Sequence, residues 1–218
     1  MTKIIVALDY ADPLNASAFV RRLCMTASPH KDKAPWFKLG GEVIFSRWFY
    51  QVVDTIHECH GNLMLDAKLA ETPRTTRAAV RTIMRDIQPD FITVREYAAL
   101  AREAVLEFAG SRTDRPHILH VPALSSHAGT PDIIVDRADG VVCRPSQVEA
   151  YVPYYPTIVA VGLRPPADKS RYHTSDDHQE TALRAPLAHF AVVGRPITQD
   201  AFQILAYHAM QKQLNGDE

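Results

Sequence analysis

The chain has 218 residues and a formal net charge of −1, with an ordinary share of apolar and charged residues. The near-zero charge argues against a generic nucleic-acid binder, and no apolar run approaches the length of a membrane span. Three separated cysteines without a CxxC pair fit a reducing compartment better than a disulfide framework. Because Asp9 follows the first apolar run too soon for a secretory leader, we expect a cytoplasmic protein that binds neither nucleic acid nor membrane.

Eight short apolar or β-branched runs recur along the chain, and most precede a segment suited to an amphipathic helix. Continuous apolar runs of this kind are typical of parallel strands buried on both faces. They predict an α/β fold, a (β/α)₈ TIM barrel in which residues 1–218 form a single domain, with an open doubly wound sheet as the alternative. The runs are KIIVALD (3–9), WFKLG (36–40), NLMLDAK (62–68), DFITV (90–94), HILHVPA (117–123), GVVC (140–143), TIVAV (157–161) and FAVVG (190–194).

Charged residues stand near the end of the first three predicted strands. Asp9 ends the first run and Lys38 lies in the second. Asp66 and Lys68 close the third run, and residues two apart in a strand point the same way. The carboxyl ends of barrel strands form the active-site face, so these charges predict a catalytic floor with a lysine available as proton donor. A salt-bridge network that only closes the barrel is the alternative.

A second motif, VVGRPIT (192–198), follows the last predicted strand. Gly194 permits a close approach of the backbone, and the loops after strands seven and eight are the usual phosphate site of such barrels. Arg195 would then hold a phosphate through its guanidinium fork. A surface salt bridge is an equally good reading of this motif taken alone.

Two predicted loops add polar groups to the same end of the barrel. LRPPADKSRYHTSDDHQE (163–180) reads as a lid or as a tolerated surface insertion, and its Arg164, Lys169 and Arg171 favour a phosphate nearby. In ALSSHAG (123–129), Ser125 or Ser126 would be able to hydrogen-bond a polar ring or an amide.

Taken in order, these motifs resemble the orotidine 5′-monophosphate decarboxylase family almost from end to end. VALDY, FKLG, LDAKLAETPRT, LSS, ADGVVC, GLRP and VGRPIT occur in the family's order. The most specific is the D-x-K-x-x-D signature, which here reads Asp66, Lys68 and Glu71. The resemblance implies a homodimer that decarboxylates orotidine 5′-monophosphate to uridine 5′-monophosphate, in pyrimidine synthesis, with no metal or organic cofactor.

The resemblance also implies a role for each matching residue. Asp9 would contact the ribose, with Lys38 in the charge network beside it. Asp66 would lie against the substrate carboxylate, and Lys68 would protonate C6 of the pyrimidine. Glu71 would reach the active site of the other subunit. The implied substrate-binding residues are Asp9, Thr75, Ser126 (to the pyrimidine), Gly162, Arg164, Lys169, Gly194 and Arg195 (to the 5′-phosphate).

Several positions depart from the family pattern. Glu71 replaces an aspartate, and Ala160 and Val161 replace a Thr-Pro pair. The lid has no clear GDQ, so Lys169 is aligned with the family's phosphate-binding glutamine. Three alternatives therefore stay open: a paralogue acting on a modified orotidine-type nucleotide, a metal-binding phosphosugar enzyme of the same broader group, and a barrel that binds nucleotide without turnover.

Overall fold

The computed structural model is a closed barrel of eight parallel strands in chain order. It describes residues 1–10, 12–26, 34–110, 112, 114–122, 137–163 and 186–216. Each of the eight apolar runs overlaps one strand, so the predicted (β/α)₈ barrel is confirmed. The strands are β1 (Lys3–Ala7), β2 (Trp36–Leu39), β3 (Asn62–Leu69), β4 (Phe91–Val94), β5 (His117–His120), β6 (Gly140–Cys143), β7 (Ile158–Val161) and β8 (Phe190–Val193).

The described helices pack on the outside of the barrel. They are α1 (Pro13–Thr26), α2 (Gly41–Ile44), α3 (Phe49–Glu58), α4 (Pro73–Asp86), α5 (Ala98–Ala109), α6 (Val148–Tyr151) after a 3₁₀ turn at Pro145–Gln147, α7 (Arg195–Thr198) and α8 (Gln203–Asn215). α7 and α8 are separate helices, because residues 199–202 between them are not helical. The Asp200 carboxylate accepts a hydrogen bond from the Phe202 amide at 2.7 Å, a local bond that competes with helix propagation. None of the described helices is long and apolar enough to cross a membrane.

Apolar side chains form two layers, one on each face of the barrel wall. Ile4 and Val6 pack outward against the helices, whereas Ile5 and Ala7 face the interior. This alternation explains why each strand is apolar along its whole length. Near the amino ends of the strands, the interior is filled by three aromatic rings with centroids 4.6–5.2 Å apart, from Trp36, Phe91 and Phe190.

A buried carboxylate ties together the amino ends of β5 and β6. Asp139 accepts hydrogen bonds from Arg102 at 2.8 Å, from Arg115 at 2.9 and 3.1 Å, and from the Ile118 amide at 3.0 Å. Burial opposes ionisation of Asp139, but these donors outweigh it and lower the pKa to about 2. Rings and ion pairs therefore fill the barrel interior near the amino ends of the strands, and the carboxyl end is the one expected to carry chemistry.

Candidate active site

The carboxyl end of β3 departs from regular strand geometry. Leu65 pairs with Ile92 and Leu69 with Val94, so the register with β4 shifts between these two pairs. Lys68 lies inside this bulge with φ at 47°, in the left-handed region that a lysine rarely occupies. Its backbone amide donates a hydrogen bond of 2.9 Å to the Thr93 hydroxyl, which holds the bulged backbone in place.

Four charged side chains from β1, β2 and β3 meet at this end as a line of alternating charge. Asp66 Oδ2 lies 2.5 Å from Lys68 Nζ and 3.4 Å from Lys38 Nζ. Lys38 Nζ also lies 3.2 Å from Asp9 Oδ1. Asp9 comes two residues after the end of β1, on the face occupied by Ile5 and Ala7. The sequence places these charges at neighbouring strand ends, and the fold brings them into direct contact.

The four side chains differ strongly in exposure. Lys38 and Asp66 are 11% and 10% exposed, whereas Lys68 and Asp9 are 39% and 44% exposed. Burial favours the neutral form of Lys38, but Asp66 and Asp9 outweigh it and raise the pKa of the ammonium. Burial likewise favours neutral Asp66, but Lys38, Lys68 and the Thr93 hydroxyl outweigh it and lower the pKa of the carboxyl. The inner pair therefore stays charged at neutral pH, and the Lys68 ammonium lies at the more open side.

Thr93 is a member of this site that the sequence analysis missed. Its fully buried hydroxyl donates to Asp66 Oδ1 at 2.9 Å while accepting from the Lys68 amide. One hydroxyl thus fixes both the carboxylate and the bulge beside it. The available signal was a polar residue at an interior position of an apolar strand, on the same face as Phe91.

Two glycines border the charged line, and one of them leaves room for it. A Cβ added at Gly40 would lie 2.9 Å from Lys38 Nζ and 3.2 Å from Asp9 Oδ1, so even alanine would press on the ion pair. A Cβ at Gly194 would lie 3.4 Å from the Ala7 Cβ and 3.8 Å from Asp9 Oδ2. Gly194, at the end of β8, is therefore a direct neighbour of the charged line.

The remaining sequence candidates on β7 and β8 occupy the same end of the barrel. Gly162 follows β7 with φ at 82°, a conformation that favours glycine. Arg195 is half-buried and begins α7, whose first turn is closed by bonds from the Ile197 and Thr198 amides to the Gly194 carbonyl. The candidates Ser126, Arg164 and Lys169 lie outside the described residues.

Glu71 and Thr75 are exposed, on the segment that leads from β3 into α4. The Thr75 hydroxyl lies 3.0 Å from that of Thr72. In the described part of this single chain, Glu71 forms no ion pair with Lys38 or Lys68. The structure therefore brings Asp9, Lys38, Asp66 and Lys68 together and leaves Glu71 on the surface near them.

A cleft of 710 Å³ opens at the other end of the barrel. It is lined by Gly61, Asp90 and Pro116, each of which immediately precedes a strand, and by side chains such as His57 and Gln88. None of the four charged residues contributes to it. Because barrel chemistry is carried by the carboxyl ends of strands, we assign the candidate site to the charged line and not to this cleft.

Comparison with known proteins gives consistent relatives. No family model matches the chain. Orotidine 5′-phosphate decarboxylase from Streptococcus pyogenes serotype M3 is 26% identical, over 97% of both chains. The crystal structure of orotidine 5′-phosphate decarboxylase from Lactobacillus acidophilus superposes with a TM-score of 0.71 at 21% identity, covering 99% of this chain and 100% of that one. The crystal structure of orotidine 5′-monophosphate decarboxylase from Methanocaldococcus jannaschii, complexed with the inhibitor BMP, superposes with a TM-score of 0.70 at 19% identity, covering 99% of both chains.

Replacing Thr93 by valine tests its structural role, because valine keeps the shape and removes the hydroxyl. The buried Asp66 oxygen and the Lys68 amide would each lose a partner, so the free energy of unfolding should fall by about 1–3 kcal/mol. Urea denaturation at neutral pH measures this change. Thr93→Ser keeps the hydroxyl, so its free energy of unfolding should fall by less than that of Thr93→Val. Equal stability of Thr93→Val and the parent would contradict the role.

Proposed function

Because the chain is similar to orotidine 5′-phosphate decarboxylases over nearly its whole length, we propose that it is a cytoplasmic carboxy-lyase that converts orotidine 5′-monophosphate to uridine 5′-monophosphate. The observation that carries the proposal is the line of alternating charge from Asp9 to Lys68 at the carboxyl end of the barrel. The reaction belongs to pyrimidine biosynthesis. We also infer that residues 1–218 act as one domain.

The proposed substrate spans the barrel mouth from β8 to β3. Its 5′-phosphate lies at Gly194 and Arg195, where a guanidinium fork suits phosphate oxygens. The resemblance in sequence makes Gly162, Arg164 and Lys169 further proposed phosphate-binding residues, of which Arg164 and Lys169 lie outside the described residues. Asp9 lies beside Gly194, at a place that suits the ribose. The pyrimidine then extends toward Asp66 and Lys68, with Ser126 and Thr75 as further contacts.

In the proposed reaction, the bond between C6 and the carboxylate carbon breaks and its electron pair stays on C6. The Lys68 ammonium, which is more exposed than its partner Asp66, stabilises the negative charge that develops there. Carbon dioxide leaves, Lys68 transfers a proton to C6, and solvent then returns a proton to the amine. The positive charge comes from a lysine, and both carboxylates of the line are engaged by ammonium groups. We therefore propose that the reaction needs neither metal nor organic cofactor.

Lys38 and Asp66 act in this scheme as a fixed electrostatic frame. Lys38 is paired on both sides, to Asp9 and to Asp66, and is not positioned as a free proton donor. Its charge keeps Asp66 ionised, and Asp66 in turn fixes the Lys68 ammonium at 2.5 Å. A preorganised arrangement of this kind needs little rearrangement when charge develops on the substrate.

Glu71 completes the proposed site from a second copy of the chain. It is exposed, it follows β3 at the end where the charged line lies, and it forms no ion pair with that line in the described part of its own chain. In the proposed homodimer, each Glu71 enters the active site of the other subunit. This arrangement explains why Glu71 lies outside the site of its own chain. Closed two-fold assemblies of this kind are the commonest oligomers.

Turnover of orotidine 5′-monophosphate in the presence of EDTA tests the proposed activity. We expect loss of the orotate absorbance with wild-type protein and a fall in kcat of about 10²–10⁴-fold or more for Lys68→Ala, which removes the proton donor. Lys212→Ala, at an exposed position in α8, is the matched control and should match the wild type. Thermal stabilisation by the nucleotide without turnover would contradict the enzyme and indicate a binding protein. Turnover that EDTA abolishes would contradict metal independence.

Hybrid dimers test the role of Glu71. Lys68→Ala and Glu71→Ala should each be nearly inactive alone. In a mixed dimer, one site carries both defects and the other carries neither, because the two residues come from different chains. Co-expression of the variants should therefore restore about a quarter of the wild-type specific activity, as random pairing of two-fold dimers requires. No recovery, or full activity of Glu71→Ala alone, would contradict a contribution in trans.

A further inference from the structure

Arg95 is an arginine at the barrel mouth that the proposed reaction does not use. It follows β4 directly, and its amide donates to the Leu69 carbonyl at 2.8 Å, so the ladder with β3 continues to this residue. The Val121 amide donates to the Val94 carbonyl at 2.9 Å on the other side. Strand alternation therefore extends past Val94 and places Arg95 on the interior face, two residues after Thr93.

The Arg95 guanidinium is incompletely satisfied. Its Nε is buried and has no hydrogen-bond partner among the residues that the structure describes. Over the ranges that the structure describes, Arg95 forms no ion pair, whereas the buried carboxylate of Asp139 is shared by Arg102 and Arg115. A buried guanidinium nitrogen without a partner is costly, and in a native protein it calls for an explanation. A ligand that supplies the missing acceptor is such an explanation at the mouth of a barrel.

The charge around Arg95 indicates which kind of acceptor is missing. Asp9, Lys38, Asp66 and Lys68 carry two negative and two positive charges, so they cancel. A substrate carboxylate beside them adds a negative charge that nothing in the line balances. Arg95 lies next to Thr93, the residue that holds Asp66, and so is close to where that carboxylate is expected.

The geometry of the closed barrel separates this arginine from the phosphate side. In the eight-strand order, β4 lies opposite β8, where Arg195 stands. An elongated nucleotide with its phosphate at Arg195 would therefore direct its ring toward β3 and β4. The two arginines suit anionic groups at opposite ends of one ligand.

We propose that Arg95 is a specificity residue that recognises a carboxylate on the ring end of the nucleotide through its guanidinium fork. This inference rests on the proposed function, in which the substrate carries such a group and the product does not. Loss of carbon dioxide removes the partner of Arg95, so the product is held less tightly than the substrate. Because this contact is made to the ground state, it supports substrate binding and not the chemical step.

Binding to a protein that cannot turn over tests the inference. In the Lys68→Ala background, calorimetry gives the Kd of orotidine 5′-monophosphate and of uridine 5′-monophosphate, which differ by the ring carboxylate. Adding Arg95→Met should raise the Kd of orotidine 5′-monophosphate by about 10- to 100-fold, since hydrogen bonds to charged groups carry this much binding energy. The Kd of uridine 5′-monophosphate should change by less than about twofold. Arg81→Met, on the outer surface of α4, should change neither Kd.

Parallel weakening of both nucleotides, or no weakening of either, would overturn the inference, as would failure of the background protein to bind orotidine 5′-monophosphate. The melting temperature of the ligand-free protein should stay the same or rise in Arg95→Met, because an unsatisfied buried group is removed. A fall would indicate a structural role and would also overturn it. Failure of the proposed function is seen separately, as binding without turnover in the wild-type protein.

Discussion

The ion pair between buried Asp66 and its two lysines is the constraint on which the rest of the site depends. A carboxylate that is 10% exposed, above an apolar barrel interior, stays ionised only if positive charge and hydrogen bonds replace the water it has lost. Lys38, Lys68 and Thr93 supply them at 3.4, 2.5 and 2.9 Å. Removing one of these three partners would leave the Asp66 carboxylate less well compensated. The four side chains therefore depend on one another.

The fold brings these side chains together because the carboxyl ends of neighbouring parallel strands lie side by side in the barrel. β1 and β2 each place one charged residue at the barrel mouth and β3 places two, and the side-by-side strands bring them into contact. The bulge in β3 then moves Lys68 out of regular register while Thr93 holds its backbone. Away from the mouth, the apolar core, the aromatic layer and the Asp139 ion pairs contribute stability that can offset a partly unsatisfied group such as Arg95.

Much of this architecture was predictable from the sequence, and the exceptions have physical reasons. Apolar runs predict the eight strands because burial on both faces leaves no other pattern, and Asp9, Lys38, Asp66 and Lys68 stand out as charges at strand ends. The bulge and the left-handed backbone at Lys68 are tertiary effects that local propensity does not encode. Thr93 reads as an ordinary β-branched strand residue until its neighbour is known. Before α8, the Asp200 carboxylate accepts a hydrogen bond from the Phe202 amide, a side-chain contact that helix periodicity does not predict.

The central claim is that Asp66 is an ionised group held between two ammonium groups, and its own titration tests this most directly. A ¹³C-NMR titration of the Asp66 carboxyl in the ligand-free protein should give a pKa below that of an ordinary aspartate, because Lys38 and Lys68 offset its burial. The stability that this ionisation contributes would then be present at neutral pH and lost as the pH falls through that depressed pKa. Replacing Lys38 by methionine should move the pKa of Asp66 upward. A pKa at or above the ordinary aspartate value in the wild-type protein would show that the effect of burial exceeds that of Lys38 and Lys68. That result would contradict the proposed role of the two lysines.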